Sequence, residues 1–97
     1  MKLDDVIARI QAHRAELLDG IGVEALHVFG SVARGDAKDD SDVDILVDMT
    51  GERTFDRYFT LKERLEALLG TKVDVVMRDA LRPAWRRVIE EEAVRVG

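Results

Sequence analysis

Cysteine is absent from this 97-residue chain. A disulfide scaffold, a thiolate zinc site and a thiol nucleophile are therefore excluded. Asparagine is also absent and glutamine occurs once, at Gln11. Depletion of these residues together with cysteine is a trait shared with thermophile proteins. Proline occurs once, and there is no Pro/Ser linker, internal repeat or low-complexity segment. No apolar run approaches the roughly 18–20 residues of a membrane span. The N-terminus, MKLDDVIARI, has acids where a signal peptide needs an apolar stretch. These absences predict a cytoplasmic protein with no membrane partner. Bases are the minority, 15 Lys+Arg against 20 Asp+Glu, for a net charge of −5. An acidic chain is poorly suited to gripping phosphates by charge alone, so direct nucleic-acid binding is not expected.

What is present fits one ordinary domain over residues 1–97. Apolar residues make up 46% and charged residues 36%, a usual soluble mixture. A chain of this size buries about 65% of its unfolded surface, enough for one core. It leaves no room for a second domain to hold a second substrate.

The charge is unevenly placed. Residues 36–44, DAKDDSDVD, carry five acids and one base, while the remainder is nearly balanced. Most charge runs are solvated loops, but the spacing within this one is informative.

Apolar residues Leu3, Val6, Ile7, Ile10, Leu17 and Leu18 predict an amphipathic helix over about 3–19, interrupted by His13 and Arg14 and ended by Gly20 and Gly22. Residues 23–29 read as a strand. A short helix follows, with Ser31 at its N-cap and Gly35 as its stop. Residues 43–48 alternate, placing Val43, Ile45 and Val47 on one face and Asp44, Leu46 and Asp48 on the other. Thr50–Gly51 reads as a turn. Thr54 caps a helix over about 55–69, with Phe55, Tyr58 and Phe59 on its apolar side. Residues 72–77 form a third strand. Pro83 suits the first turn of a last helix, whose inward positions are Trp85, Val88 and Ile89. The order α-β-(short α)-β-α-β-α predicts an α/β or α+β domain with a small sheet and helices covering one face.

Two motifs fail on context. Gly20-Ile21-Gly22-Val23-Glu24-Ala25 matches a dinucleotide fingerprint, but follows a helix and opens a strand, the reverse of what that motif needs. Asp40, Asp42 and Asp44 begin like a calcium loop, but Ile45 and Gly51 stand where glycine and glutamate are required.

Three features converge instead. Gly30-Ser31 follows a strand and opens a helix, where a backbone can approach a phosphate and N–H groups favour an anion. Asp42 and Asp44 point to one face at strand spacing, about 7 Å apart. Asp74 interrupts an apolar strand, where an acid needs a partner or an ion. If that strand lies beside residues 43–48, three carboxylates gather. Two like charges at 4 Å cost about 4 kcal/mol at an effective dielectric of 20. Magnesium, with carboxylate and phosphate ligands, relieves that conflict. A phosphate cradle beside a carboxylate cluster implies phosphoryl or nucleotidyl transfer with a two-metal site. Arg34 either reaches a phosphate or braces the acidic loop. Ser41 stabilises the turn before Asp42.

The stretch GSVARGDAKDDSDVDILV, read as Gly-Ser, ten residues, then Asp-x-Asp, resembles the signature of the minimal nucleotidyltransferases (MNT) within the DNA polymerase β-like superfamily. The resemblance covers the whole chain. It implies a small mixed sheet flanked by helices, and ATP with magnesium. It implies that Asp42 and Asp44 hold both metals, and that Asp74 completes the catalytic metal's shell and helps deprotonate the acceptor hydroxyl. Gly30 and Ser31, with Arg34 nearby, would bind the nucleotide's phosphates. Minimal members resemble antitoxins encoded beside HEPN-domain ribonucleases, which transfer AMP to a tyrosine hydroxyl of the partner. The short length fits an acceptor supplied by such a toxin. The alternatives are an antitoxin that neutralises by occlusion without catalysis, or a transferase for a small molecule or tRNA.

The last helix has Arg82, Arg86 and Arg87 early and Glu90, Glu91 and Glu92 late, an order opposed to the helix dipole. Either a partner or a triphosphate offsets this, or the face is solvated with internal pairs such as Arg86–Glu90.

Overall fold

The computed structural model describes residues 1–38, 40–49, 51 and 54–97. Asp39 of the acidic run and Thr50 of the expected turn lie outside them.

Helix α1 spans Leu3–Ala12 and buries Val6 and Ile10. The single helix expected over 3–19 is not formed. His13 ends α1, and a separate π-helical turn, Glu16–Gly20, buries Leu17. His13 and Arg14 break the apolar stripe, so nothing ties that stretch to the core, and the wider turn brings Leu17 back to it.

Strand β1, Val23–Phe29, leads directly into α2, Gly30–Arg34. Strand β2 is Val43–Met49 and helix α3 is Phe55–Leu69. The Thr54 hydroxyl caps α3 as expected, accepting from the Arg57 N–H at 3.2 Å. Strand β3, Val73–Met77, is followed by a 3-10 turn, helix α4 (Pro83–Glu92) and strand β4 (Val94–Arg95). The sequence reading did not contain β4; two residues are too short to show a period of two.

The sheet order is β3-β2-β1-β4. Strands β2 and β3 are parallel, while β1 runs antiparallel to both β2 and β4. This is the mixed sheet of an α+β domain. One face carries Leu26, Val28, Val43, Ile45, Val47, Val73 and Val75 against Val6 and Ile10 of α1 and Leu61, Leu65 and Leu69 of α3. Among the described residues no helix is long and apolar enough to cross a membrane.

The helices do not all cover one face. Leu46 points away from that core yet is fully buried, and α4 crosses its side of the sheet. There Glu90 pairs with Arg78 at 2.8 Å, and Arg78 also holds Asp48 at 2.8 Å. The inward side of α4 is correspondingly polar. Arg86, Ile89 and Glu92 are half-buried, whereas Trp85 and Val88, expected inward, are 62% and 56% exposed. The ionic partners on the sheet turn the helix by about one position. Phe55 and Phe59, also expected in the core, are exposed at the start of α3. They stack on each other, and Phe59 meets the half-buried Tyr58 edge-on.

Candidate active site

The site lies where β1 gives way to α2, beside the starts of β2 and β3. Phe29, the last residue of β1, is paired with Asp44 of β2. Asp44 is in turn paired with Asp74 across the parallel ladder. The register thus sets both acids side by side on the face opposite the core, as the alternation in β2 requires. The adjacency of β2 and β3, on which the gathering of the acids was conditional, is present.

Gly30 is held close to this pair. Its φ is +72°, and a Cβ built on it would lie 2.1 Å from Asp44 Oδ2. Glycine is required twice over, by the backbone conformation and by the approach of the carboxylate. The structure makes Phe29 the N-cap residue of α2 and Gly30 its first helical residue. Ser31, expected at the cap, is the second residue of the helix, two positions past the cap, because β1 remains paired through Phe29 and leaves no room for a longer approach.

Asp44 is half-buried, and its carboxyl is pushed up to about 6, first by burial, then by the charge and hydrogen bonding of Asp74 and the charge of Asp42; Arg34 acts in the opposite sense. Asp42 precedes β2 and is exposed, as is Asp74 on the edge strand β3. The expectation that Asp74 is a buried acid is therefore corrected. The carboxylate that suffers desolvation is Asp44, because its strand is interior to the sheet. Among the described residues no three carboxylate or imidazole groups form a ready-made metal cage. Asp44 and Asp74 are the close pair and Asp42 is the outer member.

Arg34 braces rather than stands free. Its Nε lies 3.3 Å from Asp36, and its Nη1 lies 3.1 Å from Glu92. Ser41 Oγ accepts from the Lys38 N–H at 2.9 Å, fixing the turn before Asp42 as expected. Glu92, near the chain's end, also accepts from the Gly30 N–H at 2.9 Å. Sequence reasoning saw Glu92 only as one of three acids in a row; a contact across 62 residues has no local signal. The expected Arg86–Glu90 pair is replaced by Arg78–Glu90, and Arg86 donates to the Leu81 carbonyl at 3.3 Å.

Paired acids on adjacent parallel strands, facing a glycine-serine turn at the end of an antiparallel neighbour, suit transfer of a phosphate-bearing group. The sequence profile of the nucleotidyltransferase domain matches residues 10–96, and the chain belongs to the nucleotidyltransferase family, in its minimal branch. It is 42% identical over 96 residues to the protein adenylyltransferase MntA of Thermococcus cleftensis, covering 99% of this chain and 97% of that relative. A solved minimal nucleotidyltransferase superposes with a TM-score of 0.84 at 41% identity, covering 97% of this chain and 95% of the other. A chain of the complex between a tri-AMPylated Shewanella oneidensis HEPN toxin and its MNT antitoxin superposes with a TM-score of 0.66 at 17% identity, covering 100% of this chain and 72% of that one. That last likeness concerns the fold. The resemblance read from the sequence is borne out for family and for fold.

Proposed function

We propose that this nucleotidyltransferase moves AMP from ATP to a hydroxyl of a protein partner, a tyrosine of a HEPN-type toxin, and so acts as an antitoxin. The observation that carries the reading is the in-register pair Asp44–Asp74 against Gly30. The near full-length similarity to a protein adenylyltransferase supports the acceptor class, and the AMPylated toxin bound to an MNT antitoxin supports the partner.

The donor set fits magnesium. It is all carboxylate, and Asp44 is pushed up first by burial and then by its acidic neighbours, a conflict that a hard cation relieves. Asp42 and Asp44 would hold the ions, with Asp74 completing the set. Bound magnesium supplies charge neutralisation for the triphosphate. The chain's own residues do the rest. The Ser31 hydroxyl and Arg34 bind phosphate oxygens, and Gly30 allows the close approach. Asp74, exposed at the sheet edge, accepts the proton of the acceptor hydroxyl. That oxygen attacks the α-phosphorus, the bond to the β-phosphate oxygen breaks, and pyrophosphate leaves.

The test incubates the chain with ATP, magnesium and the protein encoded beside it, followed by intact mass measurement of that protein. Gains of one AMP unit that vanish with Asp44→Asn are expected. A stable complex with no mass gain overturns the catalytic reading in favour of neutralisation by occlusion.

A further inference from the structure

Helix α2 has no side-chain cap of its own, since its N-cap residue is Phe29. The orphan N–H at Gly30 is satisfied from 62 residues away, by Glu92 Oε1 at 2.9 Å. The other oxygen of the same carboxylate lies 3.1 Å from Arg34 Nη1. One side chain thus bridges the first and last residues of this five-residue helix. Glu92 ends α4, where a negative charge opposes the helix dipole. The Gly30 N–H and the Arg34 guanidinium offset that cost. Two residues upstream, the Glu90–Arg78 contact at 2.8 Å fixes α4 against the sheet, so Glu92 is delivered at a set height.

We infer that Glu92 is a positioning residue for nucleotide binding, a long-range cap that clamps the Gly30–Arg34 turn and aims Arg34. The inference rests on the phosphate-binding role proposed for that turn. Glu92 occupies the Gly30 N–H and one edge of Arg34. It leaves the Ser31 hydroxyl and Arg34 Nη2, which make no hydrogen bond among the described residues. These are the donors available to a phosphate. Without the clamp, a short helix that begins on a positive-φ glycine has only its own few backbone bonds to hold it.

The experiment measures ATP binding calorimetrically in the presence of magnesium, with melting followed by circular dichroism. Glu92→Ala is expected to weaken ATP binding about tenfold, the scale of one lost charge-assisted hydrogen bond. Glu92→Gln, which keeps an acceptor for the Gly30 N–H, should recover part of that loss. Glu91→Ala, whose one partner among the described residues is Arg87 at 3.9 Å, should bind like the wild type. In an Arg34→Ala background the Glu92→Ala effect should shrink, because the two act together. Wild-type affinity in folded Glu92→Ala overturns the inference and leaves the proposed function standing. Tighter binding also overturns it, showing that Glu92 competes with phosphate. If Glu92→Ala does not fold, Glu92→Gln decides by the same comparison with wild type. No ATP binding by the wild-type chain removes the phosphate role of the turn, and the inference with it.

Discussion

Gly30 and Asp44 show how far a single position can be constrained. A methyl group on Gly30 would meet the Asp44 carboxylate, and the backbone there is already left-handed. Gly30→Ala should destabilise the fold by at least about 1–2 kcal/mol from the backbone conformation alone, and should weaken ATP binding by displacing Asp44. Chemical denaturation and calorimetry measure the two effects. Asp44 itself titrates at about 6 rather than 3.8. Between those values the folded chain binds more protons than the unfolded chain, so the stability contributed at this group falls as pH rises through the window. In EDTA, Asp44→Asn should therefore melt higher than wild type at about pH 8, and the difference should close by about pH 4. The same variant should abolish AMP transfer while remaining folded, which the mass assay reads directly. Gly30, Ser31, Asp42, Asp44 and Asp74 were all legible in the sequence because their spacing is local, or because strands alternate. Glu92 was not, because its contacts depend on where α4 comes to rest.

At the scale of elements, helix α4 is the instructive case. Its apolar residues suggested a face built from Trp85, Val88 and Ile89. The fold keeps Ile89 half-buried but turns Arg86 and Glu92 inward in place of Trp85 and Val88, with Arg78 pairing Glu90, and Arg34 and the Gly30 N–H holding Glu92. Trp85→Ala should change stability by less than about 0.5 kcal/mol, as for other exposed positions. Leu65→Ala on the buried side of α3 should cost about 2–5 kcal/mol. Equal losses in urea denaturation would show that Trp85 is packed after all. Helix α3 was legible because Thr54 caps it and Gly70 ends it, both by local chemistry. The break in the first helix was foreshadowed by His13 and Arg14, but a π-helical turn has no sequence signature separate from an ordinary one.

At the scale of the molecule, the acids and the Gly30–Arg34 turn occupy one end of the sheet face that α4 partly covers. The sheet order makes this possible. Parallel pairing of β2 with β3 brings Asp74 beside Asp44, and antiparallel pairing of β1 with β2 returns Gly30 to the same end. The exposed Trp85 and Val88 on α4 and Phe55 and Phe59 on α3 lie apart from the acids in sequence and in element. Their substitution by serine should leave ATP affinity unchanged, and calorimetry with magnesium tests this. A loss of affinity would place those side chains in nucleotide binding.

The sequence by itself determined strands β1, β2 and β3, the Thr54 cap, the family signature and the alternation that places Asp44, because each is written in periods of two or four residues or in short fixed spacings. Only the tertiary structure decided which face α4 covers, which acid bears the desolvation, and which carboxylate caps the Gly30–Arg34 turn. Those outcomes depend on which strand is interior and on contacts across some sixty residues. Local chemistry shapes an element, but its neighbours are chosen by burial and charge pairing of the whole chain.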